Sequence, residues 1–398
     1  MTRSTLSRSS TISTTIDGTV VTWRDEKRYS WANALVVPML PFLAWVGAFT
    51  TGLDVFWYTG PFWILIGLPI IDTLVGIDRG NPPPWAESTL DKDQYYRVLT
   101  YCYLPLQYAG FFWGAWLIAQ GHLSLVAELG LALTVGAVGG IGIANAHELG
   151  HKTDSFERWM AKVVLAQTAY GHFRVEHNRG HHVRVATPED PASARMGESF
   201  WAFFPRSVVG AVRSGWRIEK NRLGRKGGSP WNIHNEVLTA WLMSVVLFSF
   251  TIAIFGVRVI PYLVVQAVFG FSLLEVVNYL EHYGLLRQKD ANGKYERCAP
   301  RHSWNSDHIA SNLVLYGLER HSDHHANPTR RYQTLRTFDE APQLPSGYGT
   351  MIGLAYLTPL WRRVMDQRVL AVYGGDITLA NLDPRKRQRL IAKYGTQA

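Results

Sequence analysis

Cysteine is nearly missing from this 398-residue chain: there are two, Cys102 and Cys298, and no C-x-x-C pair. That excludes a disulfide framework, a thiolate zinc site and an iron–sulfur or rubredoxin-type iron centre on this polypeptide. Charge is also sparse, at 18% of residues against 47% hydrophobic ones. So low a charged fraction argues against both a disordered chain and a set of ordinary soluble domains. The first 30 residues lack the apolar core of a signal peptide. Being polar and Ser/Thr-rich, they are expected to form a disordered cytoplasmic tail. No internal repeat is evident.

What is present is six long apolar runs, at about 31–52, 55–77, 97–120, 124–146, 238–257 and 259–279. Each approaches the ~20 residues needed to cross a ~30 Å hydrocarbon core. Interior prolines such as Pro38, Pro105 and Pro261 are tolerated in membrane helices, because neighbouring helices re-satisfy the freed backbone groups. Trp31, Trp57, Trp63, Trp113, Trp116 and Trp241 lie in or beside the runs, and some of them are expected in the interfacial belt. The expected fold is an all-α membrane protein of six transmembrane helices with a cytoplasmic helical cap. Its segments are a tail at 1–30, spans one to four at 31–146, a cytoplasmic segment at 147–237, spans five and six at 238–280, and a cytoplasmic segment at 281–398.

The basic residues orient this arrangement. Arg258 is the one Lys or Arg in the three short connections after spans one, three and five, which leaves 39 of 40 on the other side. The positive-inside rule puts that side, with both termini, in the cytoplasm, hence at the inner membrane of the cell. The run Arg385, Lys386, Arg387, Arg389 is expected to touch anionic headgroups. Nucleic acid is not an expected partner, because no aromatic stacking platform accompanies the basic run.

Histidine is distributed very unevenly. Eight of the 14 fall in H-E-L-G-H (His147, His151), E-H-N-R-G-H-H (His177, His181, His182) and E-R-H-S-D-H-H (His321, His324, His325). On a helix these spacings put the rings on one face, about 5–6 Å apart. Neutral imidazole is the commonest ligand for zinc, iron, copper and nickel. His282, just beyond the sixth run, is a ninth candidate, and His172, His302 and His308 are possible supports behind the ligands. His122 and His234 are ordinary loop residues. Nine imidazoles exceed what one ion takes, so two metal ions are expected. Neutral ligands leave the ions' charge unbalanced. Glu148, Glu176, Asp190, Glu281 and Asp323 are placed to accept the outward ring N–H groups and to supply counter-charge. Glu319 is read equally well as such a group or as a solvated one.

H-E-L-G-H also matches the H-E-x-x-H of zinc proteases, with His147 and His151 on zinc and Glu148 as base. That reading leaves six or seven histidines idle. A metal-ion transporter would place its ligands at mid-bilayer, whereas these sit at helix ends. Redox chemistry fits best, since iron with nitrogen ligands and open positions activates O₂.

The three histidine boxes, with N-Y-L-E-H-Y-G-L at 278–285 and H-S-W-N-S at 302–306, closely resemble the integral-membrane alkane 1-monooxygenases of the membrane fatty-acid desaturase and hydroxylase superfamily. The resemblance runs from about residue 30 to the C-terminus. One departure is Glu319, where Gln is familiar. It implies a non-haem diiron enzyme that hydroxylates the terminal methyl of a linear alkane with O₂. It also implies His147, His151, His177, His181, His182, His282, His321, His324 and His325 as iron ligands. The implied electron donor is a rubredoxin, served by a rubredoxin reductase and carried on another polypeptide or domain. An acidic donor suits the basic face. The chief rival is a relative acting on acyl chains or aromatic methyl groups. The glycines Gly136, Gly139, Gly140 and Gly142 in the fourth run are expected mainly to let helices pack closely.

Overall fold

The computed structural model describes residues 10–395 and is mostly helical. Five segments are long and apolar enough to cross a membrane: α1 (Tyr29–Thr51), α2 (Asp54–Val75), α4 (Leu125–Gly150), α7 (Glu236–Phe255) and α8 (Val257–His282). The remaining expected span is α3 (Gln94–Gln120), a 27-residue helix whose Tyr and Gln content makes it less apolar than the rest. Four further helices complete the set: α5 (Ser155–Ala166), α6 (Phe200–Gly224), α9 (His321–Ala326) and α10 (Tyr348–Tyr356). Side chains that accept first-turn N–H groups start the long elements: Asp93 for α3, Ser124 for α4, Asp154 for α5 and Asn235 for α7.

The core is the pair α4 and α8. A Cβ on Gly136 would stand 2.7 Å from the Gln266 carbonyl, and one on Gly140 would stand 2.8 Å from that of Gly270. Only glycine permits this approach, as the sequence suggested. Of the tryptophans, Trp31 and Trp57 are buried in the bundle while Trp116 is exposed.

Three features depart from the sequence reading or add to it. Residues 1–9 of the expected tail lie outside the described residues, but the rest is not disordered. Strands β1 (Thr11–Ile16) and β2 (Thr19–Arg24) pair antiparallel around Asp17 and Gly18, both at positive φ. An Asp-Gly pair between alternating Thr, Ile and Val is a two-residue hairpin signal, and the polarity of the segment masked it. The protein is therefore not wholly α.

The second feature lies in 147–237, read from the sequence as a cytoplasmic segment. There α5 runs back beside α4 and turns at 167–171, with Ala169 in the left-handed region. The Gln167 amide reaches the Val135 carbonyl, 15 residues or ~22 Å along α4 from Gly150 at 1.5 Å per residue. Such irregular backbone among apolar helices must find its hydrogen bonds within the protein. Gln266 Nε2 donates to Gln167 O at 2.8 Å, Gln107 Nε2 to Val164 O at 3.2 Å, and Tyr108 Oη to Val163 O at 2.6 Å. Replacing Gln266 with Leu strands that carbonyl and should cost about 1–3 kcal/mol. The fall in melting temperature of the detergent-solubilised protein measures this, and an unchanged melting temperature refutes it.

Third, the basic C-terminal run is partly occupied internally. Arg385 pairs with Asp383 at 3.1 Å, and Lys386 donates to Gly197 O at 2.7 Å, because the chain folds back there. Arg387 and Arg389 stay exposed.

Candidate metal centre

The first histidine pair ends α4: His147 lies in its last turn and His151 caps it. His282 is the last residue of α8, and His321, His324 and His325 occupy the short α9. The middle box differs from the α-helical face expected of it, because His177–His181 is a π-helical turn closed by the His182 N–H on the His177 carbonyl. Wider turns of this kind recur at functional sites. Here the turn sets His177 beside His182, five residues on, with Nε2 atoms 3.0 Å apart. His181 is left pointing elsewhere.

All nine candidate histidines come together, and they divide in a way that cuts across the boxes. His147, His151, His177, His182 and His324 bring one ring nitrogen each to within 4.8 Å of one another, and so do His181, His282, His321 and His325. In the larger group His182 Nε2 is also 3.1 Å from His324 Nε2. In the smaller, His321 Nε2 lies 2.9 Å from His325 Nε2 and 3.3 Å from His282 Nε2, and His181 Nε2 lies 3.2 Å from His325 Nε2. A neutral ring has one proton, which cannot serve two such neighbours at once. His147 Nε2 and His151 Nε2 are buried with no hydrogen-bond partner among the described residues. Converging lone pairs without protons fit a cation at each focus.

Burial pushes the imidazoles of His151, His177, His182, His321, His324 and His325 well below their ordinary range, and neighbouring rings add to the effect. A downward shift favours the neutral imidazole, the form that can bind metal. His181 shifts upward: burial opposes its charging, but Asp190 outweighs burial.

The expected carboxylates have different partners. Asp190 accepts from His181 Nδ1 at 2.8 Å and from the Ser193 hydroxyl at 2.6 Å, as a support behind a ligand should. Glu148, Glu176 and Asp323 contact cations instead: Lys152 at 3.0 Å, Arg184 at 3.0 Å and Arg330 at 2.7 Å. A long cationic side chain within reach outcompetes a weakly polar ring N–H for an anion. Glu281 touches His321, but at Nε2 (3.2 Å), the nitrogen facing the other ligands. Glu319 is fully buried rather than solvated. It accepts the Tyr348 N–H at 2.7 Å, and burial, then Asp72, push its carboxyl well above the usual range.

His172 packs on Tyr170 and Trp241, His302 faces Glu296, and His308 faces Ser306, so none of the three joins either group. His122 and His234 are exposed. Tyr348 was not foreseen. Its hydroxyl donates to Glu281 Oε1 at 2.8 Å, and no nearby motif signals it.

Residues 123–355 match the fatty acid desaturase family model. The chain is 46% identical over 374 residues to the alkane 1-monooxygenase of Acinetobacter baylyi, covering 93% of this chain and 92% of that protein. It is 44% identical over 381 residues to the alkane 1-monooxygenase of Ectopseudomonas oleovorans, covering 94% and 93%. A more distant likeness, 26% over 317 residues covering 78% and 83%, is to the hydroxylase component of a xylene/toluene monooxygenase from Pseudomonas putida. At these identities over nearly its full length, and with a histidine-lined site able to hold metal, the chain belongs to the alkane 1-monooxygenase family of membrane enzymes within the fatty acid desaturase group.

Proposed function

We propose that the protein is a membrane-bound, non-haem diiron monooxygenase that hydroxylates the terminal methyl of linear alkanes: RH + O₂ + 2e⁻ + 2H⁺ gives ROH + H₂O. The five histidines around His182 hold one iron and the four around His321 the other. Iron bound by nitrogen donors with open positions supplies the O₂ chemistry. Six spans, counting α3, with both termini in the cytoplasm agree with 39 of 40 basic residues lying on one face.

One observation carries the alkane reading. An apolar crevice between α2, α4, α8 and α10, lined by Ile64, Ile141, Ala144, Leu273 and Leu318, includes Tyr348. The Tyr348 hydroxyl holds Glu281 against His321. A lipid-dissolved chain reaching this crevice would lie beside the Tyr348–Glu281 pair, next to the smaller histidine group. The alkane offers no polar handle, so wall shape alone selects its terminal carbon, and the apolar lining keeps water from the reacting end.

On the aqueous side, a cavity of about 520 Å³ borders His151 and is lined by Lys152, Arg158, Lys162, Arg174 and Arg179 against one carboxylate, Glu236. Its charge suits an acidic rubredoxin as the electron source, and charge complementarity speeds such encounters.

Purified protein given O₂, a reduced rubredoxin system and n-octane should form 1-octanol. Octane left unreacted while an acyl substrate is desaturated, or a methylated arene is hydroxylated, would overturn the alkane assignment.

A further inference from the structure

The two histidine groups are unequal, five nitrogens against four, and two buried carboxylates touch the smaller group, Asp190 behind His181 and Glu281 at the Nε2 of His321. We propose that Glu281 is the fifth donor there, binding the second metal through Oε2. This rests on reading the histidines as metal ligands.

Three observations carry it. The first is direction. Glu281 Oε2 lies 3.2 Å from His321 Nε2, and that same nitrogen faces His325 Nε2 at 2.9 Å and His282 Nε2 at 3.3 Å. The carboxylate thus meets the converging side of the ring. Asp190 shows the contrasting arrangement, sitting behind His181 on Nδ1.

The second is charge. Glu281 is 1% exposed and, among the described residues, forms no ion pair with Lys or Arg, whereas Glu148, Glu176 and Asp323 each have one. An ionised carboxylate buried without a cation is very costly, and a metal ion bound by neutral imidazoles is the counter-charge that removes the cost.

The third is aim. Tyr348 at the start of α10 donates to Oε1, while Glu319 and the Tyr348 N–H fix the position of that tyrosine. Oε1 is thereby occupied, and Oε2 is left to face the histidines.

The assignment makes the two metals chemically distinct: one is bound by nitrogen alone, while the other carries an anionic oxygen donor, beside the substrate crevice. The test uses the full-length protein loaded with ⁵⁷Fe, with iron content and Mössbauer spectra as readouts alongside octane turnover. Wild type should hold two irons in two distinguishable environments. E281Q, nearly isosteric, should retain the second iron at least ten-fold more weakly. Its surviving signal should be that of the five-histidine metal.

Y348F keeps the carboxylate but frees its aim, and should shift the same one of the two signals. That variant covers the case in which E281Q fails to fold. Two irons with both signals unchanged in E281Q, or both unchanged in Y348F, would overturn the proposal. A wild-type protein holding fewer than two irons would instead bring down the diiron reading beneath it.

Discussion

His324→Ala and His321→Ala will each leave the protein with about one metal ion per chain, and the ion that remains will differ between the two. The two histidines are three residues apart on one short helix, yet His324 belongs to the five-nitrogen group and His321 to the four-nitrogen group. Losing one imidazole from a closed set lowers affinity at that focus while the other focus keeps all its donors. Alkane hydroxylation should vanish in both variants, because the overall reaction takes two electrons and the proposal assigns it to the pair of metals. Iron analysis with a spectroscopic fingerprint of the residual ion reads this directly. Identical residual signals, or simultaneous loss of both ions, would show that the rings form one site rather than two. The exposed His234→Ala is the control and should retain both metals and activity.

Asp190→Ala should have the second large effect, although Asp190 touches no metal position. It is 1% exposed and fixes His181 through Nδ1, so that Nε2 points at His325 3.2 Å away. Without the carboxylate, that ring loses both its orientation and the charge that raises its basicity. Loss of such a partner typically weakens metal binding 10–100-fold. Metal retention during chelator challenge should fall by that factor at the four-histidine group and stay unchanged at the other. Stability should fall as well, by about 1–3 kcal/mol, since the Ser193 hydroxyl and the Ala192 N–H lose their acceptor. Glu148→Gln is the contrasting case. Its partner is Lys152 rather than a histidine, so metal retention should change little. Equal losses in the two variants would refute the distinction.

Several features were legible before any fold was known, because each is a local or compositional signal. Apolar runs of span length report on hydrocarbon thickness. Eight histidines in three closely spaced boxes, with His282 as a ninth, mark the candidate donors, and all nine converge. The hairpin at Thr11–Arg24 was also written locally, in Asp17–Gly18 between alternating residues, and was obscured only by the weight given to overall polarity.

Other features were not local. Counting ligands could not assign them, because each of the last two boxes serves both groups. Their division depends on a π turn at His177–His181 and on where α9 lies against α8. Sequence adjacency placed Glu148, Glu176 and Asp323 beside histidines. Whether an acid meets a ring or an arginine depends on which side chain arrives from another part of the chain, such as Arg330 reaching Asp323. Tyr348 reaches Glu281 across 67 residues of sequence.

By itself, then, the sequence determined the candidate donors, their number and the apolar character of their surroundings, since hydrophobicity and imidazole chemistry belong to residues. Only the tertiary structure decided which nitrogens lie together, which carboxylates touch those rings and where an apolar crevice borders Tyr348. Those are distances between segments far apart in the chain, and packing sets them.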